Sequence, residues 1–135
     1  PTRTPTPPTP APTVAPTPVP TDDYGNTPAT AASVVPGTAY TGVIEIPSDV
    51  DWFRMSVQSN VLITVDFKGF TLSSGAIALY YGTATNPTPI SEEVDTGSGA
   101  RIVHLTTQAG TYYLRVRSTR GDTGTYSFAF SLTAR

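Results

Sequence analysis

The side chains best equipped for chemistry in this chain are acidic, and the first cluster of them is ISEEVDTG, with Glu92, Glu93 and Asp95. Two carboxylates can hydrolyse a glycosidic bond when they face each other across a cleft. Three acids in one run of apparent loop are instead expected to form a solvated acidic tip. His104 is the only histidine and stands in the middle of RIVHLTT, with no nucleophile or orienting group in a recognisable pattern around it. Gly97 and Gly99 lack the following helix and lysine of a phosphate-cradling loop. Cysteine is absent, which excludes thiolate nucleophiles and cysteine zinc sites. No catalytic residue is assigned, and the chain is expected not to be an enzyme.

The net charge is −2 and 13% of residues are charged, so the basic footprint of a nucleic-acid binder is missing. No apolar run is long enough to cross a membrane as a helix. No nucleic-acid partner and no membrane span are therefore expected.

These side chains must be positioned by strands. From residue 40 onward short runs of period two alternate with Gly, Pro, Ser, Asn and Asp: YTGVIEI, WFRMSV, VLITVDF, IALYY, RIVHLTT, TYYLRVRS and TYSFAFSLT. Val61, Ile63, Val65 and Phe67 share one face of their run, and Tyr126, Phe128, Phe130 and Leu132 share one face of theirs. Alternation with one polar face is the mark of half-buried antiparallel strands. Nothing sustains a helical period, and TPATAASVV (27–35) has room for one short turn. The reading is an all-β protein, an antiparallel β-sandwich of jelly-roll or immunoglobulin-like type with about seven to eight strands.

Ahead of it lies PTRTPTPPTPAPTVAPTPVPT. Nine of the fourteen prolines and seven threonines fall in residues 1–21. Proline removes the amide donor and fixes φ, so neither helix nor ladder forms. An extended polyproline-II segment is expected, reaching about 60 Å at roughly 3.1 Å per residue. The division is thus a stalk or linker over 1–21 and a sandwich over 22–135. Thr2, Thr4, Thr6, Thr9, Thr13 and Thr17 are candidate acceptors for O-linked sugar, a composition typical of extracellular stalks. With no secretory signal in view, the chain reads as a piece of a longer product.

The folded part resembles the bacterial pre-peptidase C-terminal domain family. The resemblance rests on DDYGNTPATA (22–31), the Gly of YTGVIEI, SDVDWFRMSV (48–57), VLITVDF, IALYY, GTYYLRVRS (110–118) and GTYSFAFSL (124–132). It implies a non-catalytic accessory β-sandwich of secreted bacterial proteins, some of which bind Ca²⁺ near the start of the sandwich. The matching positions for such a site are Asp22, Asp23 and Asn26 before the first strand, and Asp49 and Asp51 in the loop entering the second. Oxygen ligands from two adjacent loops suit a hard cation. The same residues also serve as solvated charges and turn caps, as Asx residues often do.

Neighbouring residues of a strand point opposite ways, so one tyrosine of each pair 80/81 and 112/113 faces outward. Tyr80, Tyr113, Arg115 and Arg117 are the candidate binding face. Cross-strand bracing is the alternative role for the same residues. Trp52 is expected to be structural. Two functions follow as expectations. One is a structural module of an extracellular or cell-surface assembly such as a fibre, self-associating through a Pro/Thr segment that packs on a neighbouring subunit. The other is an accessory module of a secreted bacterial hydrolase, holding a polysaccharide or collagen-like polymer.

Overall fold

The structure, a computed structural model, describes residues 4–6 and 21–135. Of the stalk, Thr4, Pro5 and Thr6 are exposed and belong to no helix or strand. The expectations placed on the rest of the segment, including Thr2, Thr9, Thr13 and Thr17, lie outside the described residues.

The body is a sandwich of two sheets. A single 3₁₀ turn, Pro28–Thr30, precedes β1 (Ala32–Ser33). The remaining strands are β2 (Ala39–Ile44), β3 (Val50–Val57), β4 (Val61–Gly69), β5 (Gly75–Thr83), β6 (Asn86–Val94), β7 (Ala100–Leu105), β8 (Gly110–Ser118) and β9 (Gly124–Ala134). One sheet has the order β1-β3-β8-β5-β6 and the other β2-β9-β4-β7. All pairings are antiparallel except the two-residue contact of β1 with β3.

The period-two rows meet between the sheets. Ile63, Val65 and Phe67 of β4, Phe53, Met55 and Val57 of β3, Ile77 and Leu79 of β5, Tyr112, Leu114 and Val116 of β8 and Tyr126, Phe128 and Phe130 of β9 form one core. Burying one such side chain is worth about 1.5–3 kcal/mol, so the rows alone dictate which face turns inward. The aromatic rings interlock: Phe53 meets Phe128 edge-on at 4.7 Å and Tyr40 stacks on Phe128 at 5.4 Å.

Two sequence expectations change here. Nine strands are present among the described residues, and the additional long one is β6, NPTPISEEV, which reads as a loop because prolines and acids break its alternation. It is a strand at the edge of its sheet, where a residue without an N–H is tolerated on the unpaired side. The acidic tip also dissolves. Glu92 lies in β6 and takes Arg115 at 2.8 Å and Arg117 at 2.7 Å, and Asp95 is buried.

Asp95 accepts hydrogen bonds from the backbone N–H of Gly69, Gly97 and Gly99, each at 2.8 Å. Gly97 and Gly99 have φ of 124° and 91°, a region that side-chain-bearing residues rarely adopt. The β6–β7 loop is therefore wound around one carboxylate. Asp122 does similar work at the same end. It accepts from the Ser73 amide at 2.9 Å and hydroxyl at 2.7 Å, and from the hydroxyls of Ser74 and Ser118. That ties the β4–β5 loop to the β8–β9 loop.

Candidate metal centre

β3 begins at Val50, two residues before the run WFRMSV, and this creates the site. Asp51 has the same parity as Phe53, Met55 and Val57, so the pleat turns it inward. It is fully buried at the end of the core, and Asp49, in the loop just before, is buried too. The segment 22–26 is laid against this end by a set of local bonds. The Asp23 carboxylate accepts the Val43 amide at 2.8 Å, and the Asp23 amide donates to Glu45 at 3.0 Å. The Tyr24 ring meets Phe53 edge-on at 4.6 Å, and its hydroxyl donates to the Thr41 carbonyl at 3.0 Å. The Trp52 amide donates to the Gly25 carbonyl at 3.0 Å.

The outcome is a four-carboxylate cluster. Asp22, Asp23, Asp49 and Asp51 each bring one oxygen to within 4.8 Å of the others. Two oxygens on opposite sides of Ca²⁺, at about 2.4 Å each, stand about 4.8 Å apart, whereas Mg²⁺ would draw them to about 4.2 Å. A spread of at most 4.8 Å accommodates either ion, and both take carboxylate oxygens. Asp51 supplies an independent sign. Its Oδ2 accepts the Tyr126 hydroxyl at 2.5 Å, while its buried Oδ1 has no partner among the described residues. A buried carboxylate oxygen without a partner is costly, and a cation held by the four aspartates would satisfy it.

The acid–base character agrees. Burial pushes the Asp51 carboxyl up to about 8, opposed by the Tyr126 hydrogen bond and reinforced by the charges of Asp23, Asp49 and Glu45. Glu45 is also pushed up to about 8, by burial first and then by its hydrogen bonds with Asp49 and Asp23. Asp22 is raised by burial and by the Asp49 charge. Groups that resist ionisation because they crowd one another are relieved by a divalent ion.

Four of the five residues expected at this site are brought together. Asn26 serves differently: its amide nitrogen donates to Asp22 at 2.9 Å and its oxygen accepts the Val50 amide at 3.3 Å. It braces Asp22 rather than facing the cluster with a spare oxygen. Sequence reasoning missed Glu45 and Tyr126. Gly42 explains why Tyr126 can reach Asp51, since a Cβ there would lie 2.2 Å from the Tyr126 hydroxyl oxygen.

The residues expected to form a binding face lie on the outer side of the β3-β8-β5 sheet. The Arg115 guanidinium lies 5.4 Å from the Tyr80 ring centre and 5.9 Å from that of Trp52. Tyr113 is buried beside Trp52 and Ala31, and both arginines are held on Glu92. What faces solvent is Tyr80, Arg115 and Arg117, each half-exposed. Trp52 is part of this packed patch, in keeping with a structural role. His104 lies elsewhere, at the edge of the sandwich next to Tyr112.

A two-sheet sandwich with a four-aspartate cluster at one end defines the class. Solved structures of the same fold include a periplasmic inhibitor of g-type lysozyme from Aeromonas hydrophila, with a TM-score of 0.62 and 13% identity over 76% of this chain and 96% of that one. The pre-peptidase C-terminal domain of a Bacillus anthracis collagenase gives 0.61 and 17% over 75% and 94%. The corresponding lysozyme inhibitor of Salmonella Typhimurium gives 0.52 and 21% over 76% and 98%. At these identities the likeness is one of fold. No protein-family profile matches the sequence, and no curated protein matches it.

Proposed function

We propose that the chain is a non-catalytic accessory module of an exported bacterial protein. Residues 1–21 act as its linker and residues 22–135 as a sandwich that binds another protein or a polymer. A calcium-type cation fastens the linker's end to the sandwich. The observation that carries this reading is the buried, unpartnered Oδ1 of Asp51 inside a four-aspartate cluster. Two of the four ligands come from the segment that leaves the linker, one from the loop entering β3 and one from β3 itself, so the ion would join them.

Asp22, Asp23, Asp49 and Asp51 would hold the ion, which supplies positive charge and rigidity and no reaction chemistry. The proteins of like fold favour a binding role, since two are inhibitors of lysozyme and one is a domain of a collagenase. The half-exposed Tyr80, Arg115 and Arg117 are the part of the outer face open to a ligand. Linkage at residue 22 also favours an accessory module over a fibre subunit, because the site ends the linker against its own sandwich. Sugar on the linker threonines would stiffen the tether, and the intact mass of native material tests that point.

Calcium titration tests the whole reading. Expected are one ion per chain by calorimetry, a rise in Tm, and protection of residues 21–27 from protease. Superimposable melts in calcium and in chelator would overturn it.

A further inference from the structure

The two sheets have four edges, and three are shielded by different means. β1 is two residues long, and the next amide, Val34, bonds back to Arg54. On β2 the outward amide of Val43 is taken by Asp23, and the outward carbonyl of Thr41 by Tyr24. β6 carries Pro87 and Pro89 and a register shift against β5. Short strands, prolines, bulges and side-chain cover are the usual ways of blocking strand pairing.

β7 has none of these. The Thr106 amide bonds to the Val61 carbonyl, which sets the phase of the β4–β7 ladder. Residues 100, 102 and 104 then bond to β4, and Arg101, Val103 and Leu105 turn their N–H and C=O groups outward. Val103 and Leu105 are 56% and 47% exposed. The one charge on the edge, Arg101, is drawn back over β4 onto Asp66 at 2.6 Å.

Beside this edge lies a cavity of about 390 Å³ lined by Tyr81, Ile90, His104, Gln108 and Tyr112. Its aromatic walls are held in place, with the Tyr112 hydroxyl donating to the Gln108 carbonyl at 2.9 Å and that of Tyr81 to the Ala109 carbonyl at 3.2 Å. A strand added to β7 would place every second side chain on the inward row of Ile102 and His104, over this cavity. Further along the same side, Glu93 pairs with core-facing Ile77 and is exposed. The slot thus offers an apolar socket followed by a negative charge.

We propose that the free edge of β7 accepts an extended, proline-free segment of a partner protein by strand addition. On one side that segment carries a large apolar or aromatic residue, followed about two positions along by Lys or Arg. The charge complements Glu93. The chain's own leader does not fit, since its prolines lack the N–H groups the edge requires. A second copy fits poorly as well. An edge of six residues is about 20 Å long, and pairing it alone buries far less than the roughly 1,200 Å² of a stable interface. The inference rests on the reading of the chain as a protein-binding module.

The probe is a synthetic peptide of about seven residues, with phenylalanine and lysine on one side and threonine and valine filling the remaining positions. Its binding to the full chain is followed by fluorescence anisotropy and amide NMR shifts. Expected are shifts centred on Arg101, Val103 and Leu105, and about tenfold weaker binding when alanine replaces phenylalanine. Val103→Pro removes an N–H that points away from β4, so it is expected to abolish binding while leaving the melting curve nearly unchanged. Tyr81→Ala, which opens the cavity wall, is expected to weaken only the phenylalanine peptide. No binding, binding indifferent to Val103→Pro, or a Val103→Pro-sensitive dimer in sedimentation would each overturn the proposal. None of these outcomes touches the calcium titration, so the two readings fail separately.

Discussion

The Tyr126 hydroxyl of β9 donates to Asp51 Oδ2 of β3 at 2.5 Å, across the buried end of the sandwich. This bond links the two sheets and leaves the second oxygen of Asp51 free for the aspartate cluster. Burial, together with the negative charge of Asp51, holds the Tyr126 hydroxyl far above its ordinary value, so it stays protonated and donates at every working pH.

Asp51→Asn is expected to invert the response to calcium. Without the ion, the substitution removes a carboxylate whose ionisation is costly in the fold, so the variant gains on the wild type by about 1.4 kcal/mol per pH unit between about pH 4 and 8 and keeps that gain above 8. With calcium, the wild-type chain is the more stable and the variant shows no shift. Paired melts at pH 9, in chelator and in calcium, check the crossing. Parallel behaviour of the two proteins would refute it.

Tyr126→Phe leaves Asp51 Oδ2 buried without its donor. The expected cost is about 1–3 kcal/mol in denaturant unfolding, with weaker calcium binding because Asp51 is no longer oriented. A second-layer hydrogen bond commonly matters in this way for a metal ligand. Retained calcium affinity would reduce Tyr126 to a packing residue.

Gly42→Ala tests the same bond from the opposite side. The new methyl group would sit 2.2 Å from the Tyr126 hydroxyl oxygen and 2.4 Å from its ring carbon Cζ. Something must move, and overpacking of this kind costs about 1–3 kcal/mol. Loss of the calcium-induced Tm rise should accompany it, read in the same melting experiment.

Much of this was legible from the residues, and the misses have particular causes. The rows Val61–Ile63–Val65–Phe67 and Tyr126–Phe128–Phe130–Leu132 announce a half-buried sheet face, and the structure buries them or packs them against the core. β6 was not legible, since Pro87 and Pro89 imitate a loop and only the sheet order shows that its outer side needs no donor. Asp51 carried a usable signal. It falls in phase with Phe53, Met55 and Val57, so an acid stood in an apolar row. Glu45 and Tyr126 were hidden because their relation to the cluster is made by β2 pairing with β9, a contact between residues far apart in the chain. Alternation put Arg115 and Arg117 on the outer side of the sheet but gave no sign of their partner, Glu92, two strands away.

Asp95→Asn should destabilise the β6–β7 loop. Burial acts to raise the Asp95 carboxyl, but the amides of Gly69, Gly97 and Gly99, with Lys68, overcome it and hold it below its ordinary value. An asparagine presents one oxygen and turns an NH₂ group toward amides that can only donate. The expected loss is about 2–3 kcal/mol by urea unfolding. An unchanged midpoint would mean that the loop holds its shape without the carboxylate.

The metal-free chain is expected to have a bell-shaped stability profile whose two limbs come from different residues. Asp51 and Glu45 have raised values in the folded state, both about 8. The folded chain therefore binds more protons than the unfolded one between about pH 4 and 8, and this contribution is lost as pH rises through 8. Asp95 and Asp122 have lowered values, Asp122 chiefly through the hydroxyls of Ser118, Ser74 and Ser73. Their contribution is present above the ordinary carboxylate value near 4 and is lost as pH falls below it. Stability should peak at about pH 4–5 in chelator. Calcium competes with protons at the aspartate cluster, so saturating calcium should raise the neutral and alkaline limb while leaving the acid limb in place. Melting curves from pH 3 to 9 with and without calcium distinguish the two sources. An alkaline limb that calcium leaves untouched would show that the buried charge of Asp51 is not what the ion relieves.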